Sequence, residues 1–178
     1  MQMPRIVSPT LAAARREATR LLTDAIHQTR ELSHELVPVA LAEFGLGAAL
    51  QDVCRQLSTP QLPLHCHVLL DEQAPPLPAL LQLALYRMAQ ELGLNIVKHA
   101  RGATEASLEL ETTPGWVLLR AEDNGVAFAP HAAANSGMGL RTIRDRVALL
   151  QGEFKQGHHA GLGTFVRLRI PLPAPSPT

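Results

Sequence analysis

Cysteine is scarce in this sequence. Cys54 and Cys66 are the only two, and neither belongs to a Cys-x-x-Cys pair. That argues against a disulfide framework or a thiolate zinc site and leaves both as packing residues. Long apolar runs are missing too: no stretch of about 18 uninterrupted apolar residues occurs, and the N-terminus lacks the charged-then-apolar order of a secretory signal. The chain therefore reads as cytoplasmic, with no direct membrane insertion. An excess of either charge is also absent, because 16 basic and 16 acidic residues cancel. No overall field draws in nucleic acid or an anionic membrane surface.

Apolar residues make up 46% of the 178 positions, enough for one ordinary domain with an appendage. His65-Cys66-His67 would place both imidazoles on one face of a strand. No third or fourth ligand accompanies them, so a histidine-bearing surface strand is the better reading than a metal site.

Pro4 and Pro9 precede a long helical stretch with Thr10 as its N-cap. Leu11, Ala14, Ala18, Leu21, Ala25, Leu32 and Leu36 form one apolar stripe, opposite Arg15, Arg16, Glu17, Arg20, Asp24 and Arg30. Such a helix needs a partner to cover its stripe, and a second copy supplies one. Pro38 kinks the helix. A second apolar helix runs from about Ala40 to Leu57, ended by Ser58-Thr59-Pro60 and Pro63. These breaks divide the chain into a helical dimerisation segment at 1–58, a main domain at 59–173 and a frayed tail at 174–178.

In the main domain, Leu64 to Leu70 reads as a strand and Leu80 to His99 as a helix. Ala106 to Glu111 and Trp116 to Glu122 form a hairpin, Asn124 to Gly139 a mobile loop, and Leu140 to Leu150 a helix. Gly152 to Phe154 and Thr164 to Ile170 are closing strands. The expected fold is α+β: an N-terminal helical segment, then a two-layer sandwich of a mixed sheet and helices.

Four groups carry chemistry. Glu91, Asn95, Lys98 and His99 stand at offsets of zero, four, seven and eight, which places them on nearly one helical face. Asp123 and Gly125 follow an apolar strand, where a carboxylate can accept a hydrogen bond from a buried ligand and glycine admits close backbone approach. Gly137-Met138-Gly139-Leu140 opens a helix, where free amides and the helix dipole favour a phosphate. Gly163-Thr164 precedes the last strand. Each alone has an ordinary reading, as a solvated face, a turn or a hairpin; it is their order in the chain that matches a known family.

In that order the chain resembles the ATPase domain of sensor histidine kinases, within the superfamily that includes the ATPase domains of gyrase and of a heat-shock chaperone. The resemblance covers Leu80 to Pro171. Tyr86 to Glu91 with Asn95 to Ala100, and Gly139 to Val147, look like the subfamily of nitrate and lipid-fluidity sensors. It implies ATP and Mg²⁺ as cofactors, with Asn95 ligating the metal and Glu91 acting as catalytic base. It further implies that Lys98 and His99 sit near the phosphates, that Asp123 holds the adenine amino group with Thr164 in support, and that Gly137 and Gly139 hinge a lid. Two departures stand out: Ala127 replaces a usual glycine, and Gly93-Leu94 replaces the usual Leu and Asn, the mid-helix glycine costing about 1 kcal/mol relative to alanine.

A kinase of this kind also needs a phosphoacceptor. Ser33-His34-Glu35-Leu36 matches the start of one known acceptor motif, but Pro38 comes four residues after His34 rather than the usual five. The segment Leu41 to Leu46 that follows looks like the second hairpin helix, where a non-acceptor histidine is common. His34 therefore stands as a candidate acceptor that the register disfavours, and the subfamily's own acceptor motif is absent. The function expected is an ATP-dependent protein-histidine kinase, or a fragment of one, in a two-component system. Its expected partners are a second copy through residues 11–57 and a response regulator. The rival readings are a non-catalytic ATP-binding regulatory module and a serine kinase of the anti-sigma type.

Overall fold

The structure, a computed structural model, describes residues 37–71, 74–126, 138–158 and 163–172. The expected N-terminal helix with His34, the glycine Gly137 and the tail at 174–178 lie outside those residues. The elements run α1 (Val39–Leu57), β1 (Leu64–Leu69), α2 (Ala79–His99), β2 (Ala106–Thr112), β3 (Trp116–Asp123), α3 (Met138–Leu149), β4 (Glu153–His158) and β5 (Thr164–Pro171). No helix of the described residues is long and apolar enough to cross a membrane.

The strands form one mixed sheet in the order β1-β2-β3-β5-β4. β1 and β2 pair in parallel, and the other neighbours pair antiparallel. A parallel pair needs a crossover, and α2 supplies it. Alternation along β2 and β3 buries Ala106, Leu108, Leu110, Val117, Leu119 and Ala121 on one sheet face. Leu81, Leu85, Met88, Ala89, Leu92 and Ile96, one stripe of α2, enter the same core. Each leucine fully removed from water there contributes about 1.5–3 kcal/mol.

Helix α1 adds Leu41, Leu46, Ala49, Leu50 and Cys54 to that core, and the compact unit containing the sheet begins at Val39. The helix breaks at Gly45, whose φ of 78° and ψ of 176° suit only glycine. Gly93 explains how α1 docks: a Cβ there would lie 2.6 Å from Leu57 Cδ1 and 3.5 Å from Leu64 Cδ2. The mid-helix glycine thus leaves room for the Leu57 side chain at the end of α1 to lie against α2.

Cys54 on α1 and Cys66 on β1 meet at this junction. A hydrogen bond between the thiols pushes Cys54 above the ordinary thiol range, with burial adding to the effect, and holds Cys66 below it. His65 and His67 are exposed on β1, and His65 Nε2 lies 3.8 Å from Glu105 Oε1.

Candidate nucleotide site

Asp123 is the last residue of β3, on the alternation that faces the helices, and only 8% of it is exposed. A buried carboxylate requires donors. Gly125 N donates to Oδ1 at 2.9 Å, and Thr164 Oγ1 donates to Oδ2. The register brings Thr164 there, since it is the β5 residue directly opposite Asp123. A carboxylate offers about four lone-pair positions, so each oxygen keeps capacity for a further donor.

Gly163 makes this approach possible. Its φ is 97°, and a Cβ would run into the Asp123 backbone carbonyl. The turn before β5 therefore needs glycine both for its left-handed backbone and for the close passage of two chains.

The segment after Asp123 is pinned at its start. Asn124 Oδ1 accepts from Thr104 N at 2.8 Å and Glu105 N at 3.0 Å, and its Nδ2 donates to Thr104 Oγ1 at 3.0 Å. Val126 N donates to Arg101 O at 2.9 Å. Composition predicts one mobile loop over Asn124 to Gly139. Instead Asn124 to Val126 are tied to residues 101–105, and Met138 and Gly139 already lie in the first turn of α3. Ala127 and residues 128–137 lie outside the described residues.

Glu91 and Asn95 sit one turn apart on α2, with Lys98 and His99 exposed in its last turn. The backbone at Gly139 lies against the Glu91 carboxylate, so that a Cβ at Gly139 would fall on its oxygen. This contact joins the N-terminus of α3, with Met138, Gly139 and Leu140, to the acid-and-amide face of α2. The Nδ2 atom of Asn95 is buried and has no hydrogen-bond partner.

Two sets of the expected residues are thus in contact: Asp123 with Gly125, Gly163 and Thr164, and Glu91 with Gly139. Asn95, Lys98 and His99 share the helix that carries Glu91. The roles of Thr104 and Asn124 escaped the sequence reading; Asn directly after a strand end, able to bond nearby backbone amides, was the available signal.

The fold and this set of groups define a class, the two-layer nucleotide-binding ATPases. Residues 81–174 match the family of histidine kinase-, DNA gyrase B- and HSP90-like ATPases, and the chain belongs to that family. It is 33% identical over 153 residues to the sensor histidine kinase ComP of Bacillus subtilis (strain 168), covering 85% of this chain and 20% of ComP. It is 33% identical over 134 residues to the sensor histidine kinase MctS of Rhizobium johnstonii, covering 74% of this chain and 29% of MctS. The chain thus spans less than a third of these curated relatives. Among solved structures, the histidine kinase domain of the Erythrobacter litoralis EL346 blue-light activated kinase superposes with a TM-score of 0.58 at 20% identity, over 72% of this chain and 59% of that one. Full-length ShkA in complex with AMPPNP gives 0.57 at 19% identity, over 96% of this chain and 40% of that one. At these identities the likeness establishes the fold.

Proposed function

We propose that this chain is the ATP-binding part of a protein-histidine kinase in a two-component system. The observation that carries the reading is Asp123, a buried carboxylate fixed by Thr164 and Gly125 with lone pairs left over for a ligand donor. In this reading Asp123 accepts a hydrogen bond from the adenine amino group, and Thr164 and Gly125 hold that carboxylate in place. The solved ShkA complex with AMPPNP, a nucleotide analogue, and the family match support a nucleotide in this fold.

Asn95 offers an amide oxygen to Mg²⁺, a hard cation that takes oxygen ligands and keeps waters and phosphate oxygens around it. The donor chemistry present fits such an ion: Asn95, half-buried, stands one turn from the Glu91 carboxylate on α2, so an amide oxygen and a carboxylate share one helical face. Bound there, the ion would supply neutralisation of phosphate charge. Lys98 and His99 add positive character at the end of α2, and the first-turn amides of Met138, Gly139 and Leu140 face the phosphates. Gly139, in the first turn of α3, lets that helix N-terminus lie against Glu91.

The chemistry is transfer of the γ-phosphoryl group to an imidazole nitrogen. The β–γ anhydride bond breaks, a nitrogen–phosphorus bond forms, and ADP leaves. Glu91 Oε1, one turn from Asn95, accepts the proton of the attacking group, and most of the rate comes from positioning and charge stabilisation. Residues 11–57 pair two copies, residues 59–173 bind the nucleotide, and a response regulator receives the phosphoryl group in the cytoplasm. The acceptor histidine is supplied by another segment or a partner chain.

Calorimetric titration with ATP and Mg²⁺, together with labelling from γ-labelled ATP, tests this. Expected are binding by the wild type, weakened binding by Asn95→Ala, and an acid-labile label on an added acceptor. Absence of adenine-nucleotide binding overturns the reading. Label lost in His34→Ala would reassign the acceptor to this chain, and acid-stable label would point to a serine kinase.

A further inference from the structure

The sheet has a second face, turned away from α1, α2 and α3, and its side chains remain partly exposed. Register places Glu109, Arg120, Arg167 and Lys155 in one row across β2, β3, β5 and β4. Within that row one carboxylate stands with three cations, Glu122 adding a second carboxylate beside Arg120 and Glu153 one beside Lys155. Arg120 is ion-paired: its Nη1 lies 3.3 Å from Glu109 Oε2 and its Nε, which makes no hydrogen bond, 3.2 Å from Glu122 Oε1. Arg167 is not. It stands between Arg120 and Lys155, has no carboxylate in ion-pair range among the described residues, and its Nε is buried without a hydrogen-bond partner.

In the next row Arg169 lies opposite Glu153, yet its guanidinium stacks 4.7 Å from the centre of the Trp116 ring. Glu153 instead reaches Lys155, at 3.9 Å. Trp116, Leu118, Glu153, Lys155, Arg167 and Arg169 line a cavity of about 250 Å³. Like charges directly opposite in a sheet destabilise it, and an unpaired buried donor does so again. An arrangement that combines both, beside an aromatic platform, is complementary to an anion, and the arginine fork matches a carboxylate best. The cavity falls below the roughly 300–1,000 Å³ usual for small-molecule sites. It accommodates one side chain, set in an otherwise flat sheet surface rich in the residues that anchor protein interfaces, Trp and Arg.

We propose that this face docks an acidic segment of a partner protein, one of whose carboxylates enters the cavity between Arg167 and Lys155 while its neighbour rests on Trp116 and Leu118. The surface lies on the opposite side of the sheet from Asp123, Glu91 and Asn95 and does not depend on the nucleotide reading.

Trp116 is the only tryptophan in the chain, so its fluorescence reports from inside the cavity. The full chain is titrated at low ionic strength with a blocked hexaglutamate peptide, with hexaglutamine and inorganic phosphate in parallel. A saturable emission change with hexaglutamate alone is expected. Arg167→Gln should raise the half-saturation concentration about tenfold, the value of one charge-assisted hydrogen bond. Lys155→Gln, at an exposed site that tolerates change, should move it the same way. Arg55→Gln, an equal change of charge on α1, should leave it in place. The proposal falls if hexaglutamine responds equally, if Arg55→Gln weakens binding as much as Arg167→Gln, if Lys155→Gln has no effect, or if phosphate saturates the signal at lower concentration than the peptide.

Discussion

Replacing Asp123 by asparagine separates the structural duty of this residue from its ligand duty. Asparagine keeps the shape, takes the Gly125 N–H on its oxygen and donates to Thr164 Oγ1, because a hydroxyl accepts as readily as it donates. Two hydrogen bonds to a charged acceptor, at about 1.5–3 kcal/mol each, become two neutral ones at about 0.5–1.5 kcal/mol. Removing the buried charge recovers part of the difference, so the fold should lose about 1–2 kcal/mol. Asp123→Ala leaves the Gly125 amide without an acceptor and should lose about 1–3 kcal/mol beyond that. For a ligand, the asparagine puts an N–H₂ group where an oxygen was offered. One charged hydrogen bond is then missing, and affinity for ATP should fall about 10- to 150-fold. Urea denaturation measures the first effect and calorimetry at 25 °C the second. Unchanged affinity in folded Asp123→Asn protein would refute the assignment, as would a loss no larger than the unfolded fraction explains.

Gly139→Ala should leave the melting temperature nearly unchanged, because the new methyl meets the movable end of Glu91 and alanine favours the helix by up to about 1 kcal/mol. Phosphoryl transfer should fall several-fold more than nucleotide affinity in single-turnover assays; the reverse order would show that Glu91 is not the proton acceptor. The thiol pair gives a pH signature. Folded protein should release one thiol proton, from Cys66, below the ordinary thiol range and retain the Cys54 proton above it. The unfolded chain ionises both in the ordinary range, so the Cys54 contribution to stability is present below that range and lost progressively as pH rises from it toward the raised folded value. For Cys66 the sign reverses: its contribution is present above the ordinary thiol value and lost as pH falls through its lowered folded value. Thiolate absorbance near 240 nm should show one early step of single-thiol amplitude in native protein and one step of about twice that amplitude, in the ordinary range, on unfolding, and Cys66→Ser should remove the early step.

Helix α2, the β2–β3 hairpin and the last strand were legible because their burial follows simple periods: Leu81 to Ile96 at helical steps, Val117 to Asp123 at alternate positions. The candidate site was legible as an order of motifs. What escaped was any relation between segments that are distant in the chain. Pro60 and Pro63 marked the end of α1, but nothing local showed that its apolar side enters the core of the sheet or that Gly93 makes room for Leu57. Nor did a reading of Cys54 and Cys66 as separate packing residues show the hydrogen bond between the two free thiols.

By itself the sequence determined which residues form helices and strands and which polar groups were available to a nucleotide, because propensity, capping and burial period act over a few residues. Tertiary structure decided which groups meet. The pairing register set Thr164 against Asp123 and lined up Arg120, Arg167 and Lys155, and register is a property of two strands that neither carries alone. Helix packing set Glu91 against Gly139 in the same way, through the shared core that α2 and α3 form on the sheet.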